Sequence, residues 1–163
     1  MTITSSYSNY EEAFIAVKRL ADAGHFDEAR RAAAVMGPCF YEEIGEVHEY
    51  IDGAFYRREI LPLIVGKEYQ TASSLLDKIL SGELRNQYLS RLIEEIVKPH
   101  HKYDALSEIQ KDPIFYQRLQ KYVEEENSYI QRSQFGPHPE LTLKVTRLSE
   151  ILTMCNSSFF KIV

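Results

Sequence analysis

Three times in this chain a turn-forming pair of residues leads into a helix-like segment carrying Phe-Tyr. The segments are Gly37-Pro38-Cys39-Phe40-Tyr41, Gly53-Ala54-Phe55-Tyr56 and Asp112-Pro113-Ile114-Phe115-Tyr116. A fourth, Gly82-Glu83-Leu84, starts the same way without the aromatics. Recurrence at a few tens of residues is the signature of a helical array, in which each unit buries its apolar face against its neighbours. With 8 Phe and 11 Tyr in the chain, adjacent pairs alone would mean little; the turn residues recur along with them.

At 163 residues the chain reads as one domain with room for a substantial core. The 7 Gly and 6 Pro fall mostly between periodic segments, which favours long helices joined by short turns. The formal charge is −5 and the basic residues are scattered, whereas phosphate-backbone binding needs a concentrated basic face. Arg30-Arg31 and Arg57-Arg58 are the densest basic spots; each has acids close by and reads as a solvated helix face. Two cysteines, Cys39 and Cys155, form no disulfide framework and suit a reducing cytosol. The opening residues carry no Sec-type signal, so a cytoplasmic location is expected, with signal-independent secretion left open. The longest apolar runs, such as 60–65, are far below the ~20 residues of a membrane span.

Ser8-Asn9-Tyr10-Glu11 has the capping-box pattern, with Ser8 as N-cap. Phe14, Val17 and Ala21 then follow at helical spacing, and Gly24 closes that helix in a left-handed conformation. An alanine-rich helix runs from Phe26 to about Met36. Further helices are expected at about 39–51, 54–65, 68–80, 83–98, 102–111, 113–132 and 140–154. Pro62 should kink or split the second of these, and Asp112-Pro113 is a strong start signal. The loop 133–139 is the clearest breaker, and a capping helix with an apolar tail (Phe159, Phe160, Ile162, Val163) fills 140–163. No stretch alternates long enough to need a strand. The fold expected is all-α, with about eight or nine helices in antiparallel pairs stacked as a short superhelix over 8–132.

A second signal recurs where helices pair. Ala23-Gly24-His25-Phe26-Asp27-Glu28-Ala29 is matched by Val65-Gly66-Lys67-Glu68-Tyr69-Gln70-Thr71-Ala72, and more loosely by Pro99-His100-His101-Lys102-Tyr103-Asp104-Ala105. Each has a helix end, a turn residue, an aromatic to fill the wedge between two helices, and an alanine to let them approach. Over about residues 8–126 the chain thus resembles the tetratricopeptide-like superfamily of α-α repeats. The aromatics are spaced 43 and then 34 residues apart, and there is no Trp, so the resemblance is to a divergent or mixed form of the repeat. It implies a curved surface that binds a peptide or another protein.

Ionisable constellations are sparse. His100-His101 lies near Glu94-Glu95, but adjacent histidines on a turn diverge, and no His-x-x-x-His or Glu-x-x-His accompanies them. Imidazoles meeting the last carbonyls of the preceding helix explain them. His138 sits between two prolines. There is no Gly-x-Ser-x-Gly, phosphate-cradling loop or Cys-x-x-Cys. Cys39, beside Phe40, reads as a small buried hydrophobe. The acids at 124–126 and at 42–43 read as solvated faces, because neighbouring helical residues do not face each other.

In each Phe-Tyr pair the side chains stand about 100° apart on a helix. Phe40, Phe55 and Phe115 are therefore expected inside, with Tyr41, Tyr56 and Tyr116 nearer a groove; the alternative is that both members of each pair pack between helices. The function expected is non-catalytic protein or peptide binding, as adaptor, scaffold or chaperone, with no metal and no cofactor. Tyr41, Tyr56, Arg57, Arg58, Arg91, Tyr116 and Arg118 are the expected partner-binding residues. The apolar tail would cap the array, or dock on a partner or a second copy to give a homodimer. The alternatives are a helical enzyme or a metal or small-ligand protein centred on His100 and His101, and a secreted effector acting on host proteins.

Overall fold

Asn9 opens the first helix. Its backbone is extended and its side chain accepts the Glu12 amide at 2.8 Å, satisfying one of the amides a helix start leaves open. Ser8, the N-cap expected from sequence, lies outside the described residues. The computed structural model describes residues 9–134, 136 and 138–161, with side chains through Cys155.

Helix α1 (Tyr10–Asp22) buries Ala13, Phe14, Val17 and Ala21 along one stripe. It stops at Gly24, whose φ of +86° is the left-handed conformation expected there. The Gly24 amide donates to Ala21 O at 3.0 Å and the His25 amide to Leu20 O at 2.9 Å, the paired bonds of a Schellman stop. Helix α2 (Phe26–Met36) presents Ala29, Ala33 and Met36 to the core it shares with α1 and α3.

Helix α3 (Ile44–Phe55) begins later than expected, so Phe40 and Tyr41 belong to the preceding turn. It also runs straight through Gly53, where a break was expected, into a π-helical turn (Tyr56–Ile60) and then α4 (Leu61–Val65). Only Phe115-Tyr116 of the three Phe-Tyr pairs opens a helix. Gly53 serves packing instead: a Cβ there would sit 3.3 Å from Arg57 Nη1 and 3.7 Å from the Tyr88 hydroxyl. Pro62 explains the π turn. Its ring would crowd the carbonyl four residues back, and widening the helix just before it relieves that clash, with Leu61 N–H bonded to Tyr56 O.

The remaining elements are α5 (Tyr69–Leu75) ending in a 3₁₀ turn (Leu76–Lys78), α6 (Gly82–Ile96), a 3₁₀ turn (Pro99–His101) leading into α7 (Lys102–Gln110), α8 (Pro113–Arg132) and α9 (Pro139–Lys161). Asp112 caps α8 by accepting the Ile114 amide at 2.9 Å, with Pro113 at the first position as expected. Taking α3, the π turn and α4 as one unbroken helix, the described residues form eight helices and no strand: the fold is all-α. None of these helices is long and apolar enough to cross a membrane.

The chain divides into two compact units, neither contiguous in sequence. The first takes in the chain as far as Pro62 together with Leu75–Tyr88; the second takes Leu63–Ser74 and the chain from Leu89 on. Within the second, α7, α8 and α9 pack together and bury Ile109, Phe115, Leu119, Leu148 and Cys155. The breaker loop therefore lies inside a unit. Helix α9 extends past the expected end near 154, and the side chains of the apolar tail lie outside the described residues.

Candidate functional site

An aspartate in the middle of an apolar run organises the first unit. Asp52 follows Ile51 on α3 and is 0 % exposed. Burying a carboxylate costs several kcal/mol, on the order of its lost hydration, unless donors replace the water. Here they do: Arg30 Nη2 donates to Oδ1 at 3.0 Å, the Leu80 amide to Oδ1 at 3.2 Å and the Ser81 amide to Oδ2 at 3.0 Å. Arg30 Nη2 also donates to Lys78 O at 3.1 Å, and Arg85 Nη2 to Ile79 O at 2.7 Å. The strap 78–81 is thus tied down by side chains from α2, α3 and α6. Arg30 is no solvated-face residue, as its sequence neighbours suggested; its Nη1 is buried without an acceptor among the described residues.

Beside this clasp lies a cleft of about 540 Å³, within the size range of ligand pockets. Phe26 and Phe55 meet edge-to-face in its lining, ring centres 5.2 Å apart at 84°. Leu75 and Leu80 add apolar surface, and Leu80 is 56 % exposed, an unusual cost for a leucine pinned by its own amide. Asp27, Glu59, Arg30 and Lys78 supply charge. Gly24 completes the wall where the Arg58 guanidinium lies against it, Nε only 2.7 Å from where a Cβ would stand.

None of the partner-binding residues expected from sequence lines this cleft. Tyr41 is 85 % exposed in the turn before α3. Tyr56, expected nearer a groove, packs inside instead: it is 4 % exposed and stacks on Tyr88, centroids 3.9 Å apart and 5° from parallel. Its burial follows from helical spacing: Tyr56 lies four residues after the buried Asp52 on the same face of the helix. Arg57 and Arg58 are exposed, and Arg58 Nη1 donates to Asp22 O at 3.1 Å. Arg91, Tyr116 and Arg118 belong to the second unit. There Arg91 is exposed, Tyr116 is half-buried, and Arg118 donates to the Ser73 carbonyl and, at 3.0 Å, to its hydroxyl. Phe55 and Phe115 are buried as expected, and Phe40 is partly so.

His101 takes the helix-terminal role read from sequence, while His100 is exposed with its ring against that of His101. His101 Nδ1 lies 3.1 Å from Glu95 O, 3.4 Å from the Tyr69 hydroxyl and 3.8 Å from Glu95 Oε2. Burial first, then the carboxylates of Glu95, Asp104 and Glu108, push Tyr69 up to about 12. Among the described residues no three His, Cys, Asp or Glu side chains are grouped to hold a metal ion. Cys39 is exposed, against expectation, because it lies in the turn before α3 and not within it. Cys155 is buried, which pushes its thiol up to about 11. His138 Nε2 lies 2.8 Å from Ser133 Oγ and its ring 5.4 Å from that of Tyr129, pinning the loop between α8 and α9.

The cleft residues that sequence reasoning passed over are Phe26, Asp27, Arg30, Phe55, Glu59 and Leu80, with Asp52 behind them. A signal for Asp52 exists in the sequence: a lone acid within Tyr50-Ile51-Asp52-Gly53-Ala54-Phe55. An acid inside so apolar a run has to find donors, though nothing local says which. Compared with known proteins, the chain matches no protein family, no curated protein and no solved structure.

Proposed function

We propose that this chain is a non-catalytic protein- or peptide-binding module, an adaptor, scaffold or chaperone, whose binding groove is the cleft of the first unit. The observation that carries the reading is the aromatic lining of Phe26 and Phe55 beside an exposed Leu80. A leucine on a strap fixed by three neighbouring elements cannot fold away from water, so apolar surface is held open at no further ordering cost to a ligand. The helical-repeat resemblance supports the same class of function. The groove here differs from the one expected: it is built around the reversal at Gly24 and the strap 78–81, with the tyrosines and arginines first considered lying elsewhere.

Leu80→Glu tests this directly. The site is exposed, so the variant keeps its fold by circular dichroism, and a charge enters the apolar lining. A partner captured from native lysate by the wild type should be lost, by about tenfold or more in affinity, as expected for an apolar anchor near the centre of a groove. Undiminished capture by the variant would place binding elsewhere on the molecule.

A further inference from the structure

The charged groups around the cleft are not equally available. Arg30 is the natural anchor for an anion, but it is already held by Asp52 and by Lys78 O. An incoming anion would have to displace a carboxylate that is 0 % exposed and also holds the Leu80 and Ser81 amides. Arg58, across Gly24, donates to Asp22 O. That leaves Lys78, which is exposed, as the cation lining the cleft without a salt bridge among the described residues.

Asp27 and Glu59 stand differently. Both line the cleft and are exposed, and neither side chain makes a hydrogen bond or salt bridge among the described residues. Asp27 is at the second position of α2, where the helix dipole favours an acid. That explains why an acid is tolerated there, and its oxygens, exposed, remain open to a ligand. Glu59, on the π turn, has no such structural account. Among the groups lining the cleft, two open carboxylates stand against one ammonium, and beside apolar surface they select a cation joined to an apolar group; Arg58, behind Gly24, keeps its charge but is turned onto Asp22 O.

We propose that the cleft takes a peptide segment in which a bulky apolar residue is flanked by lysine or arginine. The apolar side chain packs on Phe26, Phe55 and Leu80, and the cation is read by Asp27 and Glu59. This rests on the reading of the cleft as a peptide groove and gives that groove a sign.

Fluorescence anisotropy on the full chain separates the two claims. The probe is a short labelled peptide with two adjacent phenylalanines followed by lysine, compared with one carrying glutamate for lysine and one carrying serines for the phenylalanines. At low salt the lysine peptide should bind about tenfold more tightly than the glutamate peptide, as two partly exposed ion pairs allow. The advantage should shrink as salt rises, and it should reverse in the Asp27→Lys/Glu59→Lys variant, whose changes are at exposed positions. Equal binding of the two charge forms, with the serine peptide weak and Leu80→Glu disruptive, would overturn the sign and leave the groove intact. No binding by any peptide, or binding indifferent to Leu80→Glu, would overturn the groove and the sign together.

Discussion

Gly24 and Lys67 hold the same place in two chain reversals, one in each unit. After α1 the left-handed residue is Gly24, and the amides of Gly24 and His25 return to Ala21 and Leu20. After α4 it is Lys67, φ +62°, and the amides of Lys67 and Glu68 return to Ile64 and Leu63 at 3.0 and 2.8 Å. In both, an aromatic follows two residues later and a buried alanine three beyond that: Phe26 and Ala29, Tyr69 and Ala72. Gly66, which matches Gly24 by eye, stands one residue too early. The looser third copy, at Pro99, lacks this stop; a 3₁₀ turn replaces it and Tyr103 is 82 % exposed. Identical backbone turns therefore give opposite outcomes. Tyr69 is sealed inside its unit with its hydroxyl beside His101, whereas Phe26 is half-buried and lines an open cleft.

The largest expected effect separates the two aromatics. Tyr69→Ala should cost about 3–5 kcal/mol in urea unfolding, the range for emptying a core aromatic site. Phe26→Ala should cost roughly half that or less, because part of the ring's surface is already wet, while weakening ligand binding at the cleft. Equal losses would break the contrast between sealed and open.

A smaller effect compares the turn residues themselves. Gly24→Ala should destabilise by about 1–2 kcal/mol, since an L side chain is strained at this φ and the new Cβ must push Arg58 aside. Lys67→Gly should act in the opposite sense, stabilising by about 0.5–1 kcal/mol by relieving the same strain. The Lys67–Asp104 pair it removes, at 3.1 Å, is nearly half-exposed on both sides and worth little. Shifts of one sign at both positions would mean that the reversals are not equivalent.

The smallest effect is confined to alkali. Tyr10 is pushed up to about 12 by burial and by its hydrogen bond to Glu46, and Tyr69 to about 12 by burial and nearby carboxylates. A folded-state pKa above the unfolded value of about 10 means the fold prefers the neutral phenol. That contribution is whole below pH of about 10 and lost as the pH climbs through about 12. Thermal melts across this window should fall steeply for the wild type. Tyr69→Phe should flatten the fall in its unit while changing little near neutrality, and an unaltered slope would show that the phenol is not what titrates.

What could be read from sequence is what neighbouring residues decide among themselves. Asp112-Pro113 starts α8, Gly24 ends α1, and 133–139 separates two helices because caps, left-handed turns and prolines act within a few residues. Gly53 was misread because its reason is packing: a Cβ there would press on Arg57 Nη1 at 3.3 Å, with the Tyr88 hydroxyl close behind. Without the side-chain packing in view, a glycine in the sequence looks like a stop. Pro62 was expected to bend or split a helix; the strain is met by a π turn, and the helix runs on to Val65. The cleft was hidden for the same reason. Asp27 and Arg30 look like ordinary surface charges until the strap 78–81 arrives beside them, and no local pattern announces that arrival.

That strap has a consequence for the order in which the protein is made. On a chain emerging from the ribosome, α1, α2 and α3 are complete by Phe55, but the donors for Asp52 from Leu80 and Ser81 do not yet exist. Until they are synthesised, a carboxylate at the centre of the nascent first unit has only Arg30 to answer it. The N-terminal half cannot finish folding ahead of the rest, as the N-terminal domain of a simply divided chain would. It must wait, with its Phe26–Phe55 surface uncovered, for residues that are translated after a stretch belonging to the other unit.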